Sequence, residues 1–252
     1  MKLISLNTWG ARAGLDNLLD FFKKHRDADI FCLQEIWDGG EERIAGVNFK
    51  GVDCKQVEPR LLRKIQDVLP DHVVYFRPHY FDFYGLALFV KKDLNIIEEG
   101  ELFVYKERGY YSSDAVGNHA RNIQYVKVAI PRGIRVIVNF HGLWNGQGKD
   151  DSADRLLQSD NILRFLAALH HPVILCGDFK LLPETERIKK LESFGLRNLI
   201  KVNNIASTRT SFYKKEHRFA DYTFVSKDIS VVDFKVLPDE VSDHNAMQLS
   251  FE

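Results

Sequence analysis

The sequence predicts an α/β protein in which sheets pack against one another with helices outside. Three observations carry this. Strand-like and helix-like segments alternate through the first half, and strands dominate the second. Several strand-like runs are apolar at consecutive positions, so both of their faces need cover. No linker rich in Gly, Ser or Pro and no internal repeat divides the chain, so residues 1–252 are expected to form a single domain.

Taken in order, "KLISLN" and "DIFCLQEI" read as strands separated by the helical "LDNLLDFFKKHR", whose Leu and Phe recur at helical spacing. "EPRLLRKIQDVLP" is a second helix closed by Pro70. "HVVYFRP", "YGLALFVKK" and "NIIEEGELF" follow as strands. "NIQYVKVAI" and "IRVIVNFHG" form a hairpin through Pro131, Arg132 and Gly133. A long helix is expected over 152–170, then the strand "HPVILCGDF" and the helix "PETERIKKLESFG", with Pro183 near its start and Gly195 at its end. "DYTFVSKDISVVDFKVLP" and "NAMQLSFE" complete the sheet content.

The chain is 45% apolar and 28% charged, the composition of a globular protein that can bury a large core. Lys plus Arg equals Asp plus Glu at 35 each, so no global field draws it to nucleic acid or anionic membranes. Three cysteines, Cys32, Cys54 and Cys176, are too few for a disulfide framework or a zinc motif. Cys32 and Cys176 sit in apolar runs and read as small core hydrophobes. No apolar run reaches membrane-span length, and "MKLISLNTWG" lacks the pattern of a signal peptide. A cytoplasmic monomer without an obligate protein partner is the expectation.

The informative feature is what the strands release at their ends. "LISLN" ends at Asn7, "IFCLQE" at Glu35, "VIVNFH" at His141 and "VILCGD" at Asp178. "FADYTFVS" opens a strand with Asp221, and "VSDHNAM" places Ser242, Asp243 and His244 just before the last strand. One strand-end carboxylate is usually solvated or caps a helix. Four acids, an Asn and two histidines at such places are another matter. Converging strand ends would make an oxygen-rich cluster suited to a hard divalent cation, with histidines to bind phosphate or move a proton. Asp178 and Lys180 lie two apart on an extended segment and so face a common space.

With these blocks in this order, "LNTWG", "LQEIW", "NFHG", "GDFK", "ADYTFVS" and "VSDHNAM", the chain resembles the endonuclease/exonuclease/phosphatase (DNase I-like) superfamily of metal-dependent phosphodiesterases. The resemblance spans the whole chain. It implies a four-layer α/β sandwich, two mostly antiparallel sheets face to face with helices outside, and an active site at one edge. It also implies Mg²⁺ or Mn²⁺ held by Glu35, with Asn7 and Asp243 assisting. Asp178 would orient the attacking water, Asp221 would fix and polarise His244, and His141 would contact phosphate or the leaving oxygen. Relatives usually read "GDxN" where this chain has "GDFK". An Asn amide can accept from water and donate to phosphate, whereas a charged lysine only donates, so Lys180 puts full activity in doubt.

Around this cluster, Arg121 matches a phosphate-facing arginine of many relatives, and Asn145 and Tyr110 are further substrate-binding candidates. Asn118 and His119 lie in a polar loop. Arg155, early in a helix, reads as a solvent or salt-bridge residue beside Gln158. Trp9, Trp37, Tyr111, Trp144, Phe179, Phe212 and Tyr213 crowd the motifs; each alone reads as packing, but together they permit a pocket that stacks a flat group. The "HGLWNGQGKDD" stretch reads as a rim loop. The expected function is Mg²⁺- or Mn²⁺-dependent hydrolysis of phosphodiester or phosphomonoester bonds, the substrate being a phosphate ester, with nucleotides and nucleic acids among the candidates. The alternative is a catalytically weak or inactive protein that binds a phosphate ligand on the same scaffold. Fold alone does not choose among substrates.

Overall fold

The computed structural model of the protein describes residues 1–40, 56–112, 117–146 and 148–252. Cys54 lies outside them. The first sheet contains β1 (Lys2–Asn7), β2 (Ile30–Trp37), β3 (His72–Tyr80), β4 (Tyr84–Lys91), β11 (Val231–Val236) and β12 (Met247–Phe251), in the order β11-β12-β1-β2-β4-β3. The second contains β5 (Asn95–Tyr105), β6 (Arg121–Ile130), β7 (Gly133–His141), β8 (Val173–Asp178), β9 (Arg197–Asn198) and β10 (Asp221–Val225), in the order β5-β6-β7-β8-β10-β9.

Period-two alternation divides the side chains of the first sheet between two cores. Leu3, Ile30, Cys32, Leu88 and Val90 face the second sheet and pack with Ile137, Leu175 and Phe224. Their neighbours Ile4, Phe31, Leu33, Ala87 and Phe89 face outward, onto Leu18, Phe21 and Phe22 of α1 (Leu15–Lys24) and Leu61, Leu62 and Ile65 of α2 (Leu61–Val68). On the other side, α3 (Ala153–Ala167) and α4 (Glu186–Ser193) add Ile162, Leu166, Ile188 and Leu191 to the core of the second sheet. The layers are helix, sheet, sheet, helix, the four-layer α/β sandwich. Cys32 and Cys176 are buried free thiols within it.

The topology explains why polar residues gather at one edge. Among the described residues, each sheet contains one parallel pair, β1 with β2 and β7 with β8, while the other pairs are antiparallel. Parallel strands send their C-terminal ends the same way, so Asn7 lies opposite Gln34 beside Glu35, and His141 lies opposite Asp178. β10 and β12 run antiparallel to these strands and begin where the others end. Asp221 therefore pairs with Asp178, and the residues preceding Met247 continue past Ser5 toward Asn7.

Several local expectations need correction. "DYTFVSKDISVVDFKVLP", read as sheet content, divides between the two sheets: β10 joins the second and β11 the first. The helix expected from Pro183 starts only after Thr185, as the chain first makes a turn closed by Thr185 Oγ1 donating to the Leu182 carbonyl at 2.8 Å. The short β9 and α5 (Leu199–Val202) were not anticipated, being shorter than any periodicity can report. Pro78 sits inside β3, at an irregularity on an edge strand where its missing N–H costs no ladder bond. Arg155, expected in solvent or in a salt bridge, is fully buried and donates to the carbonyls of Leu143, Gly148 and Asp150, holding the rim loop against α3.

Gly177 shows why "GD" is needed at the end of β8. Its φ is +139°, and a Cβ there would lie 2.0 Å from the Phe140 carbonyl oxygen of β7. Gly177→Ala is expected to cost at least about 1–3 kcal/mol, the scale of a single backbone strain, before the clash is counted. Urea denaturation would measure it; an unchanged midpoint would show that the strand pair can part at no cost.

Candidate active site

Asp178 is the centre of the edge cluster and is fully buried. Its Oδ2 accepts from Asn7 Nδ2 at 2.8 Å and from Lys180 Nζ at 2.9 Å, and its Oδ1 accepts from the Lys180 backbone N–H at 3.0 Å. His141 Nε2 and His244 Nε2 each lie 3.7 Å from Oδ2. Burial opposes ionisation of Asp178, but the cationic groups around it, Lys180 above all and Arg209 among the others, outweigh it and hold the carboxyl well below its ordinary range.

Glu35 faces Asp178 across Asn7. Asn7 Nδ2 also donates to Glu35 Oε1 at 3.1 Å, while Asn7 Oδ1 turns away and accepts from the Trp9 N–H at 2.9 Å. Asn7 thus presents its amide nitrogen to the cluster and holds two carboxylates together. Lys180 Nζ lies 3.7 Å from Glu35 Oε1, so the ammonium sits between the two acids. Burial works against the Glu35 charge, yet Lys180, Arg12 and the Asn7 hydrogen bond lower its pKa. Glu35 is presented by a bulge, where the pairing of β2 with β4 shifts between Leu33 and Ile36. Both Glu35 and Lys180 have φ of +57°, a left-handed conformation that costs a non-glycine residue about 1–3 kcal/mol. The bulge is braced from below: Gln34 Nε2 donates to Asn139 Oδ1 at 2.7 Å, and Asn139 Nδ2 donates to the Leu33 carbonyl at 3.0 Å.

On the other side, His244 Nδ1 lies 2.8 and 2.9 Å from the two carboxylate oxygens of Asp221. The carboxylate accepts the Nδ1 proton, which aims Nε2 at Asp178. Ser242 Oγ accepts from the His244 N–H at 3.2 Å and donates to the Asn7 carbonyl at 2.7 Å, tying the last loop to β1. Asp243 Oδ2 accepts from Arg209 Nη1 at 2.6 Å; its Oδ1 is buried, without a hydrogen-bond partner among the described residues, and lies 3.6 Å from His244 Nε2.

Arg121 reaches the cluster from the start of β6 and is buried. It donates to His141 Nδ1 at 3.2 Å, to His79 Nε2 at 3.4 Å and to the Gly117 carbonyl at 3.1 Å. These acceptors are uncharged, so the guanidinium can meet an incoming anion. His119 is also buried and stacks on His79, with ring centroids 5.3 Å apart. Asn145 is half-buried and donates to Ser152 Oγ at 3.3 Å, beside the N-terminus of α3. Tyr110 is exposed; its described ring contacts are with Tyr105 and Lys106. Neither has a described contact with the carboxylates. Trp9 and Phe212 face each other at 6.4 Å, next to Asn7 and to the loop that carries Arg209. Lys149 closes the rim by donating to the carbonyls of His217 and Phe219.

Sequence reading missed His79 and Arg209. His79 is one of three polar or charged residues within a strand, and Arg209 lies in a loop with no period. Only tertiary pairing distinguishes them.

The donor set fits a hard divalent cation. Glu35 and Asp178 offer carboxylate oxygens within 4.8 Å of each other, as do Asp178 and Asp221. The unpartnered Asp243 Oδ1 adds a further oxygen on the same side as Asp178 and His244. Lys180 is the element that competes.

A four-layer sandwich with acids and histidines released at one edge defines a class, and comparison with known proteins assigns the chain to it. Residues 4–244 match the model of the Endonuclease/Exonuclease/phosphatase family, and the chain belongs to that family. A mannosyl-6-phosphatase from Bacteroides thetaiotaomicron has a similar fold, with a TM-score of 0.74 at 17% identity over 100% of this chain and 99% of that one. A family protein from Leptotrichia buccalis gives 0.71 at 19% identity over 100% and 99%. The catalytic domain of human Nocturnin, solved with bound sulfate, gives 0.64 at 17% identity over 100% and 93%. At these identities the likeness concerns the fold. No curated protein sequence matches the chain. Among the described residues, no helix is long and apolar enough to cross a membrane.

Proposed function

We propose that this protein is a divalent-metal-assisted hydrolase of phosphate esters, held at low turnover by Lys180. The observation that carries the reading is the buried Asp178 carboxylate, flanked by two histidines and an amide, with Glu35 across from it. Glu35 would hold Mg²⁺ or Mn²⁺, Asn7 would keep its carboxylate in place, and Asp243 Oδ1 would offer a further oxygen. When bound, the ion supplies positive charge to a phosphate oxygen.

The chain's own residues account for the other requirements. Arg121, His141 and Lys180 gather positive charge and N–H donors toward one space, where a phosphate would be neutralised. Asp178, kept ionised, can accept a hydrogen bond from the attacking water and orient it. His244, fixed by Asp221, is placed to donate to a phosphate oxygen or to move a proton at Nε2. The Lys180–Asp178 ion pair at 2.9 Å favours the alternative as well, a phosphate-binding protein of little activity, because a carboxylate paired in this way is less free to orient water.

The reading is tested with a panel of phosphomonoesters and phosphodiesters, with Mg²⁺, Mn²⁺ or chelator. Cleavage of at least one ester that requires a divalent cation is expected. Cleavage of none, by either this protein or Lys180→Asn, would leave the binding-protein alternative. The place of the ion is tested separately by titrating Mn²⁺ into the protein and into Glu35→Ala. Weaker binding by the variant is expected; equal affinity would contradict the assignment of Glu35.

A further inference from the structure

We propose that His79 acts through Arg121 to fix which nitrogen of His141 carries the proton, so that His141 meets a substrate oxygen as a permanent Nε2–H donor. The identity of that oxygen rests on the phosphoester reading; the position of the proton follows from the hydrogen bonds alone.

The argument starts at groups that can only accept. Asn122 Nδ2 lies 3.3 Å from the Arg77 carbonyl and 2.6 Å from Glu101 Oε2. Both are acceptors, so this atom is the amide nitrogen and the other is the carbonyl oxygen. Asn122 Oδ1 lies 2.8 Å from His79 Nδ1, which must therefore carry a proton. His79 Nε2 faces Arg121 Nη1 at 3.4 Å. A guanidinium has N–H donors and no acceptor, so His79 Nε2 is bare. The same nitrogen of Arg121 faces His141 Nδ1 at 3.2 Å, and by the same rule that nitrogen is also bare. The proton of neutral His141 must then be on Nε2, 3.7 Å from both Glu35 Oε1 and Asp178 Oδ2 and without a hydrogen-bond partner among the described residues.

Charge agrees with this chain of bonds. One nitrogen of each ring accepts from Arg121 and so carries no proton, which leaves each ring a single proton and no charge. Packing keeps the pair in place: the rings of His79 and His141 are 5.7 Å apart, with Tyr84 against both. His79 is thus a positioning residue. A bare Nε2 on His141 could take a proton from water; the protonated Nε2 cannot, which leaves that task to Asp178 or His244.

The test is histidine side-chain ¹H–¹⁵N spectroscopy of the full chain with no metal or phosphate added, the His141 signals being assigned by their loss in His141→Gln. The expected result is two neutral rings of opposite tautomer, His141 as Nε2–H and His79 as Nδ1–H. His79→Phe, which removes the acceptor that steadies Arg121, should populate the Nδ1–H form of His141. His79→Gln, whose amide oxygen can accept from Arg121, should restore the Nε2–H form. A wild-type His141 protonated on Nδ1 overturns the proposal without any variant, and so does a His141 signature unchanged in folded His79→Phe. A chain with the expected tautomers that cleaves no phosphate ester would contradict the functional reading and leave this inference standing.

Discussion

Replacing His244 or Asp221 by Ala is expected to lower phosphate-ester turnover by about 10²- to 10⁴-fold, the range for a positioned acid–base group. Both side chains are buried, and His244 Nδ1 meets the two Asp221 oxygens at 2.8 and 2.9 Å. Without Asp221 the ring can rotate or take the other tautomer, and Nε2 no longer faces Asp178. Without His244, Asp221 is left as a buried carboxylate with nothing to orient. The double variant should therefore be little worse than the worse single one, because the two act as a unit. Kinetics of the three variants, made in whichever of this protein or Lys180→Asn turns over faster, would check it. Losses that multiply would show that the residues act separately.

Lys180→Asn is expected to raise turnover by about 10²–10³-fold, the scale attached to one transition-state hydrogen-bond group. A Lys ammonium roughly 5 Å from a divalent cation is repelled by about 6–7 kcal/mol at an effective dielectric of 20, before the nearby carboxylates offset much of it. Lys180 Nζ occupies the gap between Asp178 and Glu35, the two acids expected to face that cation. An Asn side chain would free Asp178 Oδ2 of one charged donor and add an acceptor for water. The backbone favours the change too: Lys180 has a φ of +57°, which Asn tolerates better than Lys. Side-by-side kinetics on any ester cleaved would decide. A slower Asn variant would mean that Lys180 is a working phosphate-binding residue.

The strands and the edge cluster were legible because each depends on local pattern. Leu3, Ile30 and Leu88 alternate with Ile4, Phe31 and Ala87, and that alternation announces sheets covered on both sides. A polar residue ending an apolar run, such as Asn7 or Asp178, is visible without knowing the fold. What the residue pairs with is not. The bracing of Glu35 by Asn139 joins side chains 105 residues apart through Gln34, and His79 reaches Asn122 across 43. Arg155 reads as an exposed helical residue because the loop whose carbonyls it satisfies folds over it only in three dimensions. Two of the places where local rules break, the left-handed Glu35 and Lys180, belong to the site itself.

The most direct test of the competition between Lys180 and a metal ion is calorimetric titration of Mn²⁺ into this protein and into Lys180→Asn, without substrate. The account predicts tighter Mn²⁺ binding by the Asn variant, with the gain abolished when Glu35 is also replaced by Ala. Equal or weaker binding by Lys180→Asn would contradict it, and would mean that the ammonium between Glu35 and Asp178 does not compete with a divalent cation for these carboxylates.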